Sequence, residues 1–204
     1  MKKLIVLAAV LAAFCGCAQQ EKKECAAECA GEANPVVENI MARRSIRKYK
    51  PQRVERDVLI KIMECGINAP NGQARESWEV RVVDSPELIA GIDSLYRAAT
   101  GRDGHALFGA PAVAFIAYDT EYGLSQVDCG LLGENMILAA QSMGLGTCCL
   151  GDLCRFVNSE AGAPVLERLG LPDTHRLLYA MVFGYPDESP AAKERNMGKV
   201  RFVE

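Results

Sequence analysis

The order in which the apolar spacing changes period does most to limit the folds open to this chain. From Val54 to Ile67, the residues Val58, Leu59, Ile62, Met63 and Ile67 follow helical spacing. Asn68-Ala69-Pro70-Asn71-Gly72 is a turn signal, and Trp78 to Asp84 alternates like a strand with one covered face. Ser85-Pro86-Glu87 supplies an N-cap and a first-turn proline for a helix reaching about Ala98. Gly101 to Gly109 reads as a loop and Pro111 to Tyr118 as a buried strand. Leu124 to Met143 reads as a long helix with Val127, Leu131, Leu132, Met136 and Ala139 on its buried side, ended by Gly144-Leu145-Gly146. Thr147 to Leu150 is a short strand, Asp152 to Leu169 is helical in pieces, and His175 to Gly184 is the last strand. Helices and strands alternate without strict βαβ repetition, so the expected class is α+β, a mixed or antiparallel sheet surrounded by helices. With 204 residues, half of them hydrophobic and only 6 % aromatic, one domain with an aliphatic core is expected.

The first residues do not belong to that domain. Lys2-Lys3 followed by the apolar run Leu4 to Phe14 has the layout of a secretory signal, and the run is short for a transmembrane helix. It ends in Phe14-Cys15-Gly16-Cys17, which resembles a bacterial lipobox with Cys17 as the lipid acceptor, although Phe14 stands where leucine is usual. Simple signal cleavage and a soluble exported protein is the alternative. The expected organisation is a signal peptide over 1–16, a flexible tether over 17–34, and the folded domain over 35–204. That places the chain in a bacterial periplasm or cell envelope, touching a membrane only through its lipid. Cys25 and Cys29 lie in the Ala/Glu/Lys-rich tether, whereas Cys65, Cys129, Cys148, Cys149 and Cys154 sit in apolar surroundings and read as small core residues. No Cys-x-x-Cys and no Cys/His spacing suggests zinc.

Pro35 opens a short helix that runs into Arg43-Arg44-Ser45-Ile46-Arg47-Lys48-Tyr49-Lys50, and Pro51 then breaks the chain. Five of these eight residues are cationic in a protein of formal net charge −3. Guanidinium forks match phosphate oxygens bidentately, and a serine hydroxyl fits a remaining acceptor, so the cluster suits a small phosphorylated ligand. A solvated helix C-terminus, where cations complement the macrodipole, is the plainer reading. The overall acidic balance argues against a nucleic-acid partner.

Several kinds of chemistry are absent. There is no G-x-S-x-G elbow, H-E-x-x-H or P-loop. Gly144-Leu145-Gly146-Thr147-Cys148-Cys149-Leu150-Gly151 fails as a dinucleotide fingerprint because it leaves a helix instead of entering one. His105 lies in a loop and could line a pocket, and His175 begins a strand; an ordinary structural role is the favoured reading of both. No metal set and no catalytic residue can be named, so any reaction would need a bound cofactor.

Over Val36 to Phe202 the chain resembles the FMN-dependent nitroreductase family. Four blocks carry the resemblance: Arg43-Arg44-Ser45-Ile46-Arg47; Ala69-Pro70-Asn71-Gly72 through Trp78; Asp128 to Ala140 with Gly144 to Thr147 and Leu150-Gly151; and Lys193-Glu194-Arg195. The resemblance implies that Arg43, Arg44, Ser45 and Arg47 hold the FMN phosphate and pyrimidine edge, with Lys193 and Arg195 returning to the phosphate. It implies that Leu150 and Gly151 face the flavin. Pro70, Asn71 and Gly72 would be contributed by the partner subunit of a homodimer with shared FMN sites.

The resemblance also implies ping-pong hydride transfer, with NAD(P)H as a possible donor and a nitroaromatic, quinone or similar small molecule as acceptor. Nicotinamide donors belong to the cytoplasm, which sits awkwardly with export. The chain departs from the family's turn at Ala74, Glu76 and Ser77, where Asn, Gln and Pro are usual. Glu76 could pair with Arg75 or with the arginine cluster. Related flavin chemistry such as reductive dehalogenation or ring fragmentation, and a non-catalytic lipid-anchored flavin-binding protein, are the alternatives.

Overall fold

A computed structural model describes residues 33–204; the expected signal, Cys17, and Cys25 and Cys29 of the tether lie outside the described residues. The described residues fall into two units, 33–41 and Ala42–Glu204. In the first, helix α1 (Pro35–Ala42) begins at Asn34, whose side-chain oxygen accepts from the N–H groups of Val36 at 3.0 Å and Val37 at 3.3 Å.

The second unit holds helices α2 (Arg56–Ile67), α3 (Pro86–Thr100), α4 (Ser125–Ser142), α5 (Gly151–Val157) and α6 (Ala163–Leu169). Its strands are β1 (Trp78–Val83), β2 (Ala112–Asp119), β3 (Gly146–Leu150) and β4 (His175–Gly184). They form one sheet in the order β1-β2-β4-β3, antiparallel throughout. The class is the expected α+β, with the antiparallel option realised.

Alternation along the central strands builds a core on each face of the sheet. Val113, Phe115 and Ala117 of β2, with Ala180 and Val182 of β4, pack against α3, α5 and α6 residues such as Ile92, Leu153 and Val165. Ala112, Ala114 and Ile116, with Met181 and Phe183, face the other way onto Leu59 and Ile62 of α2 and Leu132 and Met136 of α4. Both faces are covered, which explains why β2 reads as an unbroken apolar run.

Two burial expectations are corrected. On α4, Leu132 and Met136 are buried as expected, but Val127 and Leu131 are 58 % and 42 % exposed and Ala139 is half-buried, while Asp128, Cys129 and Ala140 join the buried stripe. The helix is apolar nearly all round, so its pattern did not select a face. Among the cysteines, Cys129, Cys148 and Cys154 are buried, Cys65 is half-buried and Cys149 is exposed. Neighbouring residues of a strand point to opposite faces, so Cys148 and Cys149 could not both enter one core.

Candidate active site

The arginine cluster leaves its helix as an extended segment that lies against β3. Ser45 forms a parallel bridge with Thr147, and Ile46 donates its N–H to the Thr147 carbonyl at 2.9 Å. Ile46 is 6 % exposed and packs tightly over Gly146, where an added Cβ would come within 2.6 Å of Ile46 Cγ1. The small residue is therefore required for the segment to approach. Further on, Lys50 donates to Tyr185 O and Asp187 to Lys48 O, both at 2.9 Å, and Glu188 accepts from Arg47 N. The chain leaving β4 is thus stitched to the same segment.

This packing directs Arg47 into an open cleft of about 550 Å³ that is also lined by Phe108, Cys149, Leu150 and Gly151. The Arg47 guanidinium sits 5.9 Å from the centre of the Phe108 ring. Arg43 and Arg44 are half-buried, and Arg44 Nη1 donates to the Arg43 carbonyl at 2.8 Å. Burial raises the Cys148 thiol above its ordinary pKa, an effect that nearby Arg47 and Arg43 oppose. Both guanidiniums therefore act on the cleft wall. Although Cys149 keeps solvent-accessible surface, the protein atoms packed around it desolvate its thiol and push it up to about 11, so it stays protonated at neutral pH.

Leu150 is the N-cap of α5 and has no side-chain acceptor for the first N–H groups of that helix. An added Cβ at Gly151 would meet nothing within 4 Å, so the backbone there borders open space. A cationic, hydroxyl-bearing segment beside an apolar wall and exposed backbone donors has the chemistry that a phosphorylated, planar ring compound needs. FMN fits this donor set.

The other expected site residues lie elsewhere in the chain. Lys193 and Arg195 are exposed in the C-terminal tail, where Arg195 Nη1 reaches the Lys193 and Glu194 carbonyls at 3.4 and 3.3 Å. Pro70, Asn71 and Gly72 form a turn held to the start of α4. Gly72 N–H donates to Asp128 Oδ1 at 2.9 Å, and Ser77 Oγ donates to Asp128 Oδ2 at 3.1 Å. Asn71 Oδ1 accepts from Glu76 N at 3.0 Å. Gln73, Ala74 and Glu76 all have positive φ, at 57°, 53° and 48°. Arg75 lies 4.6 Å above the Tyr122 ring instead of pairing with Glu76, which joins no ion pair among the described residues.

His105, which the sequence allowed as a pocket residue, does line the Arg47 cleft, whereas Arg102 and the carboxylate that holds His105 were not foreseen. The loop between α3 and β2 carries Arg102 and His105 into the cleft. Arg102 Nη1 reaches Tyr96 Oη at 2.9 Å and lies 3.8 Å from Asp152 of α5, while His105 Nδ1 lies 2.8 Å from Asp93 Oδ2. An acidic residue inside the apolar stripe of α3 was the available clue.

The nitroreductase family model matches residues 40–102 and 95–185. The NADPH-flavin oxidoreductase of Vibrio harveyi is 31 % identical over 175 residues, covering 79 % of this chain and 70 % of that protein. An FMN-bound nitroreductase from Bacteroides fragilis superposes with a TM-score of 0.75 at 27 % identity, over 84 % of this chain and all of that one. A second FMN-bound nitroreductase, from Desulfitobacterium hafniense, gives 0.76 at 27 % identity, over 85 % and 100 %. With the family model spanning most of the chain and the fold shared along its length, the chain belongs to the nitroreductase family.

Proposed function

We propose that this chain is an FMN-dependent oxidoreductase that works as a homodimer, passing reducing equivalents from a reduced nicotinamide to a nitroaromatic, quinone or similar small acceptor. The observation that carries the reading is the seating of the arginine segment on β3, which puts Arg47 and the Leu150-Gly151 backbone on one open cleft. The FMN held by two similar folds and the donor in the V. harveyi protein's name support it. Bound FMN would supply the hydride chemistry, so the absence of a side-chain nucleophile is expected.

The residues of the chain bind and orient. Arg43, Arg44 and Arg47 would hold the phosphate with Ser45, each charge-assisted bond contributing about 1.5–3 kcal/mol. Leu150 and Gly151 would let the ring approach the backbone. Lys193 and Arg195 of the tail would add charge to the phosphate. Pro70, Asn71 and Gly72 would complete the site across a dimer interface. The exposed apolar residues Leu124, just before α4, and Val127 and Leu131 on it, beside the Asp128 that holds this turn, support such an interface. The Lys2-Lys3 and apolar pattern before Cys17 supports an exported protein anchored at the envelope by a lipid on Cys17, where a reductant other than a nicotinamide would take the donor's place.

Initial rates with NADPH and menadione test the mechanism. Parallel double-reciprocal lines are expected; converging lines, or no turnover with any acceptor of these classes, would overturn it.

A further inference from the structure

Asp93 and His105 form a polar pair that flavin binding does not use. Asp93 is on the core side of α3 and is 5 % exposed, a costly place for a carboxylate unless it is partnered. Its partners are His105 Nδ1 at 2.8 Å on Oδ2 and the Leu107 N–H at 3.3 Å on Oδ1. The His105 side chain is itself 63 % exposed and lines the same cleft as Arg47, Leu150 and Gly151. A carboxylate on Nδ1 fixes the ring and its tautomer, leaving Nε2 as the nitrogen that exchanges protons. The loop bearing it is tied down twice, by this pair to α3 and by Arg102 to Tyr96.

Resting on the oxidoreductase reading above, we propose that His105 is a proton donor to the bound acceptor and that Asp93 is its positioning residue. Reducing a quinone to its hydroquinone adds two electrons and two hydrogens. One hydrogen comes with both electrons as hydride from the reductant, a reduced flavin, and the other is a proton. In the proposed step the donor is the doubly protonated ring, with Nδ1–H held by Asp93: the His105 Nε2–H bond breaks, its electron pair stays on the ring, an O–H bond forms on the acceptor, and the ring is left as the neutral Nδ1–H tautomer. Water then restores the Nε2 proton. Asp93 is the charged group in contact with this ring, and the other charged groups lining the two cavities it borders are Arg97 of α3, Arg102 and Asp103 of its own loop, Arg47, Arg53, and Asp152 and Arg155 of α5.

The test uses the flavin-loaded protein with His105→Asn, which keeps an amide donor toward Asp93 but no transferable proton, and with Asp93→Asn. His175→Gln is the control. Reduction by NADPH and reoxidation by menadione are followed separately. His105→Asn should slow reoxidation about 100-fold and leave reduction within about twofold. His175→Gln should behave as wild type.

Because the chain has two histidines, nitrogen NMR of the ring gives a readout independent of turnover. Wild type should show the neutral Nδ1–H tautomer at His105, and Asp93→Asn should lose that preference. Unchanged reoxidation in His105→Asn, or an Nε2–H tautomer in wild type, would overturn the proposal. A wild-type protein that takes up no FMN would overturn the oxidoreductase reading and this one with it. Normal flavin reduction with an unaffected His105→Asn would overturn this one alone.

Discussion

Ile46 donates its backbone N–H to Thr147 O, and in doing so it seats a strongly cationic segment on the strand that ends at Leu150-Gly151. The contact works because position 146 has no side chain. Gly146→Ala would place a Cβ within 2.6 Å of Ile46 Cγ1 and 2.8 Å of its Cβ, a β-branched residue with little rotamer freedom. We expect a loss of about 1–3 kcal/mol of stability from the overpacking, measured by urea unfolding. FMN affinity should fall with it, because the arginines would shift from the cleft.

Arg47 is the cationic residue that lines the cleft from the N-terminal segment. Removing a charge-assisted phosphate contact worth about 1.5–3 kcal/mol weakens binding by roughly 10- to 150-fold. Arg47→Ala should do this in a fluorescence titration with FMN, and Arg47→Lys should recover only part because it lacks the planar fork. The same titration on Lys193→Ala and Arg195→Ala measures what the exposed tail adds.

At the turn, Gly72 faces Tyr122. An added Cβ would lie 2.3 Å from Tyr122 Oη, an atom that is buried without a hydrogen-bond partner among the described residues. Gly72→Ala should cost about 1–3 kcal/mol, and less in a Tyr122→Phe background. Tyr122→Phe alone should be neutral or stabilising, since it removes a hydroxyl that has no partner. A double-mutant cycle by urea unfolding reads all three.

Burial raises the thiols of Cys129 and Cys154 from an ordinary 9.0 to about 12. In the folded state they stay neutral where the unfolded chain ionises. Their contribution to stability is therefore complete below about pH 9 and is lost as pH rises toward 12. Urea midpoints under reducing conditions should fall across this window. Cys154→Ala, though less stable at neutral pH, should show a shallower alkaline decline.

The strands and most helix limits were legible because Pro86, Gly144 and the alternation along Trp78 to Val83 act locally. The class was legible too, from the absence of βαβ repetition. Two things were not. On α4 nearly every face is apolar, so only tertiary packing decides that Leu132 turns inward and Leu131 outward. The second is the Asp93–His105 pair, which joins a helix to a loop and has no spacing rule to betray it. At the site, the arginine cluster and Leu150-Gly151 were named from sequence, but the Ile46–Thr147 bond that brings them together is a long-range contact. Ser77 shows how a departure from the family's pattern can be absorbed, since its hydroxyl helps satisfy the buried Asp128.

The central claim is that the cleft beside Arg47 holds a working flavin. The most direct measurement is the visible absorbance spectrum of the purified protein, before and after anaerobic NADPH. The account predicts an FMN spectrum, at about one flavin per chain, that bleaches on reduction and returns with menadione. A protein that stays colourless even after incubation with FMN would contradict it.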